Sequence, residues 1–216
     1  SNTGTFFDGP SIDQGTTGSR AFIFDAHGRV MAHAYQEFKQ YYPKPGWVEH
    51  DAMEIWHSVE AVIRKAVSTA RINPHSIISI GITNQREPTL IWDRQTGKPL
   101  YRAIVWQDRR TTDRCASPTL KKHSAYVQAK TGLRLDPYFS ATKLQWLLDH
   151  VPGIRAKAAA GGVCFGTMDT WIMYQLTGKA VHATDYTNAA RTMLFNIRSL
   201  TWDIQLLHIF NIPLAC

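Results

Sequence analysis

The sequence predicts an α/β fold, a mixed β-sheet flanked by helices, and three observations carry that expectation. The opening reads as a β-meander. A helical segment and then a short, nearly unbroken apolar run follow it, and beyond residue 110 the periodicity is mainly helical.

Residues 19–25 are rich in β-formers, Ala26-His27-Gly28 supplies a turn, and residues 30–38 give a second extended stretch. Two prolines and a glycine make Tyr42-Pro43-Lys44-Pro45-Gly46 a loop. Asp51 is an N-cap candidate with Glu54 three residues on, and Ile55, Val59, Val62, Ile63 and Ala66 share the helical face that follows. Residues 77–82, interrupted only by Ser79 and Gly81, predict a strand buried on both faces. Residues 90–93 and 103–106 read as two strands with a turn at 95–99. Helices are predicted over 111–116, 124–131, 142–150 and 168–176, then a strand over 193–197 and a last helix over 202–210. There is no internal repeat and no low-complexity linker, so one domain over 1–216 is the simplest organisation.

Hydrophobic residues at 44% and charged residues at 19% place the chain among ordinary globular proteins rather than disordered ones. No apolar run reaches the length of a membrane span. Residues 1–10 lack the basic start and apolar stretch of a secretory signal. Cys115, Cys164 and Cys216 are widely spaced and form no CxxC, which argues against a disulfide framework or zinc site and for a cytoplasmic protein. The net charge of +7 is scattered, with no dense basic run beyond Arg109-Arg110 and Lys121-Lys122, so nucleic acid is not the expected partner. A modest positive field also suits a polyphosphate substrate.

Four polar segments carry candidate chemistry. Asp13-Gln14-Gly15-Thr16-Thr17-Gly18-Ser19-Arg20 can aim N–H groups, hydroxyls and a guanidinium at an anion, with Asp13 available to a magnesium ion. An ordinary polar hairpin is the plain alternative, and no Walker loop occurs. Thr83-Asn84-Gln85-Arg86-Glu87 follows a predicted strand, where open α/β sheets place ligands. Its Arg-Glu pair can hold a small polyhydroxyl ligand or form a surface ion pair. In Trp106-Gln107-Asp108-Arg109-Arg110-Thr111 the indole either caps the core or walls the carbon face of a polyol. Asp136-Pro137-Tyr138-Phe139 leads into a helix whose Leu144, Leu147, Leu148 and Trp146 read as core.

Together DQGTTGSR, YPKPGWVEHD, GITNQRE, TGKP with IVWQDRRT, PYFSATKLQWLLDH, FGTMDTW and TDYTNAARTMLFNI occur in an order that resembles the FGGY family of carbohydrate kinases, with the spacing of its glycerol kinase branch. PYFSATKLQWLLDH is similar to a signature of the wider family, including Lys143 and Trp146. The resemblance implies an actin/hexokinase-like, ribonuclease H-like domain. It implies that residues 1–216 are the N-terminal, polyol-binding domain and that a nucleotide-binding domain carrying the general base lies outside them. It implies transfer of the ATP γ-phosphoryl group to glycerol with Mg2+. Arg86, Glu87, Trp106 and Tyr138 would then bind glycerol. Thr16, Thr17, Gly18 and Arg20 would face the phosphates, and Asp13 would serve the metal. No membrane is expected as a partner, and a homo-oligomer is compatible with a longer form.

Three departures from the family stand out. The chain stops before the catalytic aspartate, and its last three residues differ from the family. Residues 6–12 include Gly9-Pro10 where an apolar strand is expected, so that strand should pair poorly or start late. Gly18 stands where bacterial relatives usually carry serine. A non-catalytic polyol-binding module and a truncated product without function remain as alternatives.

Overall fold

The computed structural model describes residues 9–216. In chain order the elements are β1 (Gly9–Gln14), β2 (Gly18–Phe24), β3 (Val30–Glu37), β4 (Glu49–His50), α1 (Ala52–Ala70), β5 (Gly81–Asn84), β6 (Leu90–Asp93) and β7 (Ala103–Ile104). Then come α2 (Thr112–Ala116), α3 (Pro118–Lys121), α4 (Ser124–Thr131), α5 (Ser140–His150), α6 (Ile154–Ala159) and β8 (Val163–Gly166). The chain closes with α7 (Met168–Leu176), α8 (Tyr186–Ala189), β9 (Phe195–Asn196), β10 (Thr201–Trp202) and α9 (Ile204–Ile209). These elements fall into two compact units. One holds the described residues up to Gln40 together with Met53–Gln85, and the other holds Tyr41–Ala52 and Arg86–Cys216.

The first unit is a sheet in the order β3-β2-β1-β5, antiparallel except for the parallel β1–β5 pair. Register places Ile12 beside Ala21 and Ala21 beside Ala34. Because side chains alternate along a strand, these three share one face, and Val62 and Ala66 of α1 pack on Ala21, Ile23 and Ala34. Asp13, Arg20 and Tyr35 are paired one position along and occupy the opposite face. The predicted mixed sheet is therefore present.

Two expectations are corrected here. β1 pairs with β2 from Gly9 onward, Pro10 included, so Gly9-Pro10 does not disrupt that ladder. The parallel ladder to β5 begins at Ser11, just past the proline that has no N–H to give. Phe6, Phe7 and Asp8 of the same expectation lie outside the described residues. The apolar run 77–82 is not a strand buried on both faces. Only Gly81 and Ile82 of it enter β5, which is the edge of the described sheet, and Ile78 and Ile80 are 62% and 44% exposed. An edge strand has one lateral neighbour, so its apolar residues gain little cover.

In the second unit β6 pairs antiparallel with β8, and β4 with β7. Ile91, Ile104, Leu144, Leu147, Val163 and Phe210 form its core, with Trp146 joining as expected. Gly166 is required here, since a Cβ would stand 2.6 Å from the Trp92 ring. The predicted helices at 124–131 and 168–176 match α4 and α7, and α5 starts two residues before the predicted 142. The last helix starts at Ile204 rather than 202. Asp203 caps it through the Leu206 N–H, while Trp202 pairs with Phe195 in β10–β9. The strand expected at 193–197 shrinks to Phe195–Asn196, because Met193 has φ 62° and breaks the extended run.

Candidate functional site

In the first unit the candidate residues gather at the β1–β2 hairpin. The Gly15 N–H donates to the Gly18 carbonyl at 2.9 Å and closes the turn. The Gly15 carbonyl accepts from Gln14 Nε2, that of Thr16 from Gln40 Nε2, and that of Thr17 from the Phe38 N–H. These hydrogen bonds engage the Gly15, Thr16 and Thr17 carbonyls. Thr16 is half-buried and Thr17 exposed. Asp13 and Arg20 are cross-strand partners, and the Arg20 guanidinium lies 5.2 Å from the Tyr35 ring centre. Gly18 is sterically locked. A Cβ there would sit 2.6 Å from Tyr35 Oη and 2.7 Å from the Gln36 carbonyl, which accounts for glycine at this position. Among the described residues no group of three or more His, Cys, Asp or Glu could hold a metal.

The other candidates lie in the second unit. Glu87 is 2% exposed and adopts φ 66°, a left-handed backbone uncommon outside glycine and asparagine. Its carbonyl accepts from the hydroxyls of Thr89 and Ser140, which holds that conformation. Its carboxylate accepts from Arg191 Nε at 2.7 Å. The same guanidinium lies 5.7 Å from the Tyr138 ring centre and 4.8 Å from that of Phe139. Trp106 packs on Tyr138 with centroids 5.7 Å apart. Glu87, Tyr138 and Trp106 are thus joined into one cluster, and Arg86 is exposed beside Glu87. An open cavity of about 430 Å³ borders Tyr138 and is lined also by Arg109, Arg134, Asp136 and Phe139. A larger one, about 520 Å³, is lined by Arg94, His182, Thr184 and Trp202 and holds none of the sequence-predicted site residues.

Behind Tyr138 lies Lys143, wholly buried, whose Nζ donates to the Tyr138 carbonyl at 2.9 Å. Burial pulls its amine down from an ordinary lysine value to about 7, opposed by the nearby Asp108, Glu87 and Asp136 carboxylates. Asp108 and Arg110 turn out to be structural. Arg110 donates to Asp108 and Glu49 at 2.8 Å and stacks 3.7 Å from the Trp47 ring centre, its side chain fully covered. The segment Trp106–Arg110 therefore divides between an indole packed on Tyr138 and a buried ion network. Arg191 is the residue that the sequence reading left without a role. Its signal was present: a lone arginine between Ala189-Ala190 and Met193-Leu194, inside a quoted motif.

Comparison with known proteins decides the family. The model of the FGGY family of carbohydrate kinases, N-terminal domain, matches residues 10–216. The chain belongs to this family. The match runs to Cys216. Among FGGY relatives, a glycerol kinase of Alcanivorax borkumensis is 58% identical over 94% of this chain and 41% of its own. Glycerol kinase 2 of Thermotoga maritima is 55% identical over 95% and 41%. The crystal structure of Plasmodium falciparum glycerol kinase with ADP superposes with a TM-score of 0.87 at 38% identity, covering 94% of this chain and 40% of that one. Gluconate kinase from Lactobacillus acidophilus gives a TM-score of 0.82 at 25% identity. The FGGY neighbours bear out the expected fold class. The chain spans about two-fifths of the length of the curated relatives it matches.

Proposed function

We propose that this chain is the polyol-binding part of an ATP-dependent kinase that phosphorylates glycerol. The observation that carries the reading is the cluster of Glu87, Tyr138 and Trp106 in the second unit. A buried carboxylate accepts hydroxyl hydrogens, a phenol adds a further polar contact, and an indole covers the carbon chain. That is the chemistry a three-carbon polyol needs. Arg86 beside Glu87 supplies donors to the hydroxyl oxygens. The high identity to glycerol kinases favours glycerol over larger sugars.

On the same reading the β1–β2 hairpin serves ATP. Thr16, Thr17 and the Gly18 backbone approach the phosphates, and Arg20 adds charge. A lone Asp13 fits magnesium, which commonly takes one or two protein carboxylates and completes its shell with water and phosphate oxygens. When bound, Mg2+ would neutralise charge on the transferring phosphoryl group. The chain's own part is to orient the polyol and to place phosphate next to Arg20. Deprotonation of the attacking hydroxyl is assigned to a residue outside these 216.

The test joins residues 1–216 to the remaining part of the Alcanivorax borkumensis relative and follows ADP release. Glycerol-dependent turnover, with gluconate and xylulose as poor acceptors, is the expected result. Turnover equal with and without glycerol would refute the reading. Saturable glycerol binding without turnover would favour the non-catalytic polyol-binding module.

A further inference from the structure

We propose that Arg191 is a positioning residue of the polyol subsite, acting through Glu87 and Tyr138. The inference rests on the reading of the site given above and goes beyond it, because Arg191 itself belongs to none of the polyol-contacting positions.

Three features lead to it. First, Glu87 sits at φ 66° with its side chain 3% exposed, an arrangement that costs free energy in both backbone and charge. Its side-chain charge is met by Arg191 Nε at 2.7 Å. A carboxylate carries two oxygens with about four acceptor positions, and one N–H leaves most of them for ligand hydroxyls. Second, Nε is the guanidinium nitrogen nearest the chain, so the rest of the planar head is free to lie over rings. It stands 4.8 Å from the Phe139 ring centre and 5.7 Å from that of Tyr138. One side chain thereby ties the acid to the phenol. Third, Arg191 is anchored by its neighbours. Its N–H donates to the Asn188 carbonyl, and the carbonyl of Thr192 beside it accepts from the Ala141 N–H at the start of α5. The loop that bears Glu87, between β5 and β6, and the turn that bears Tyr138, before α5, are distant in sequence, and Arg191 meets both.

A guanidinium suits this task better than an ammonium, because only the planar group can donate edge-on to the carboxylate while stacking face-on with the rings. The proposal thus separates charge from shape, and the two can be tested apart.

The test is a glycerol titration of the 1–216 chain, read by tryptophan fluorescence, with Arg191→Met, Arg191→Lys, Glu87→Gln and Arg191→Met/Glu87→Gln. Thermal midpoints are recorded alongside. Arg191→Met is expected to weaken glycerol at least tenfold. Arg191→Lys, which keeps the charge and guards against misfolding of the methionine variant, should fall several-fold below native. In the Glu87→Gln background, Arg191→Met should cost much less than it does in the native chain, because its partner is already gone. Native affinity in Arg191→Lys, or additive losses in the double variant, would overturn the proposal. No saturable glycerol binding by the native chain would overturn the reading of the site, and this inference with it. Native binding with an unaffected Arg191→Met would overturn this inference alone.

Discussion

Lys143 shows how a single buried side chain can tie stability to pH. Its amine is buried, donates to the Tyr138 carbonyl, and is drawn down to about 7 by desolvation. Between about 7 and its ordinary 10.5 the native state is neutral at this position while the unfolded chain still holds the proton. The unfolded state then binds more protons, so this group makes stability rise with pH in that window. Burial raises the thiols of Cys115 and Cys216 to about 11, which acts oppositely as pH passes the ordinary thiol value of 9.0. The clean interval is therefore about pH 7 to 8.5. There, unfolding free energy should climb in the native chain and stay flatter in Lys143→Met, as read by urea denaturation at stepped pH. Equal slopes would contradict the assignment. At Gly18 the expectation is steric. A serine must displace Tyr35 Oη or the Gln36 carbonyl, so Gly18→Ser should cost about 1–3 kcal/mol in the same assay. Tyr138→Phe keeps the ring against Trp106 and removes only the hydroxyl. It should weaken glycerol binding with little change in thermal midpoint, at roughly 1–3 kcal/mol for the unsatisfied partner it leaves.

At the level of elements the sheet edge and the opening strand are where pattern and structure part. An apolar run such as 77–82 carries no mark of how many neighbours its strand has, and here β5 has only β1 among the described residues. Gly9 is fixed by its surroundings rather than by strand propensity. The sequence analysis expects an apolar strand where Gly9-Pro10 stands, yet Gly9 has φ 114° and a Cβ would stand 1.7 Å from the Ser79 carbonyl oxygen. Gly9→Val should therefore lower the melting midpoint by several degrees, whereas a rise would restore the sequence-based view. What was legible follows from local physics. The turn at Ala26-His27-Gly28, the loop with two prolines, α4 and α7 all rest on residues within one helical turn or one hairpin. Glu87, Trp106 and Tyr138 were named from motifs, and their joining through Arg191 was not legible, since it links positions 104 residues apart. The split of Asp108 and Arg110 from Trp106 was hidden for the same reason. Burial of an ion pair depends on Glu49 and Trp47, which lie far upstream.

For the whole molecule the governing fact is length. The chain covers about two-fifths of the glycerol kinases of Alcanivorax borkumensis and Thermotoga maritima, and its fold is that of an FGGY kinase N-terminal domain. Phosphoryl transfer depends on a positioned base and on excluding water, and removing a base alone typically costs about 10²–10⁴-fold. Purified 1–216 should accordingly release ADP at the same slow rate with or without glycerol. The central claim is that the polyol is held by the cluster around Glu87. Its most direct test is the kinetics of the joined enzyme, residues 1–216 followed by the remaining part of the Alcanivorax borkumensis relative, with and without Glu87→Gln. The account predicts that kcat/KM for glycerol falls by at least tenfold while KM for ATP stays within about twofold, because the substitution touches the polyol and leaves the phosphate hairpin alone. An unchanged kcat/KM for glycerol, or an equal loss in the ATP constant, would contradict it.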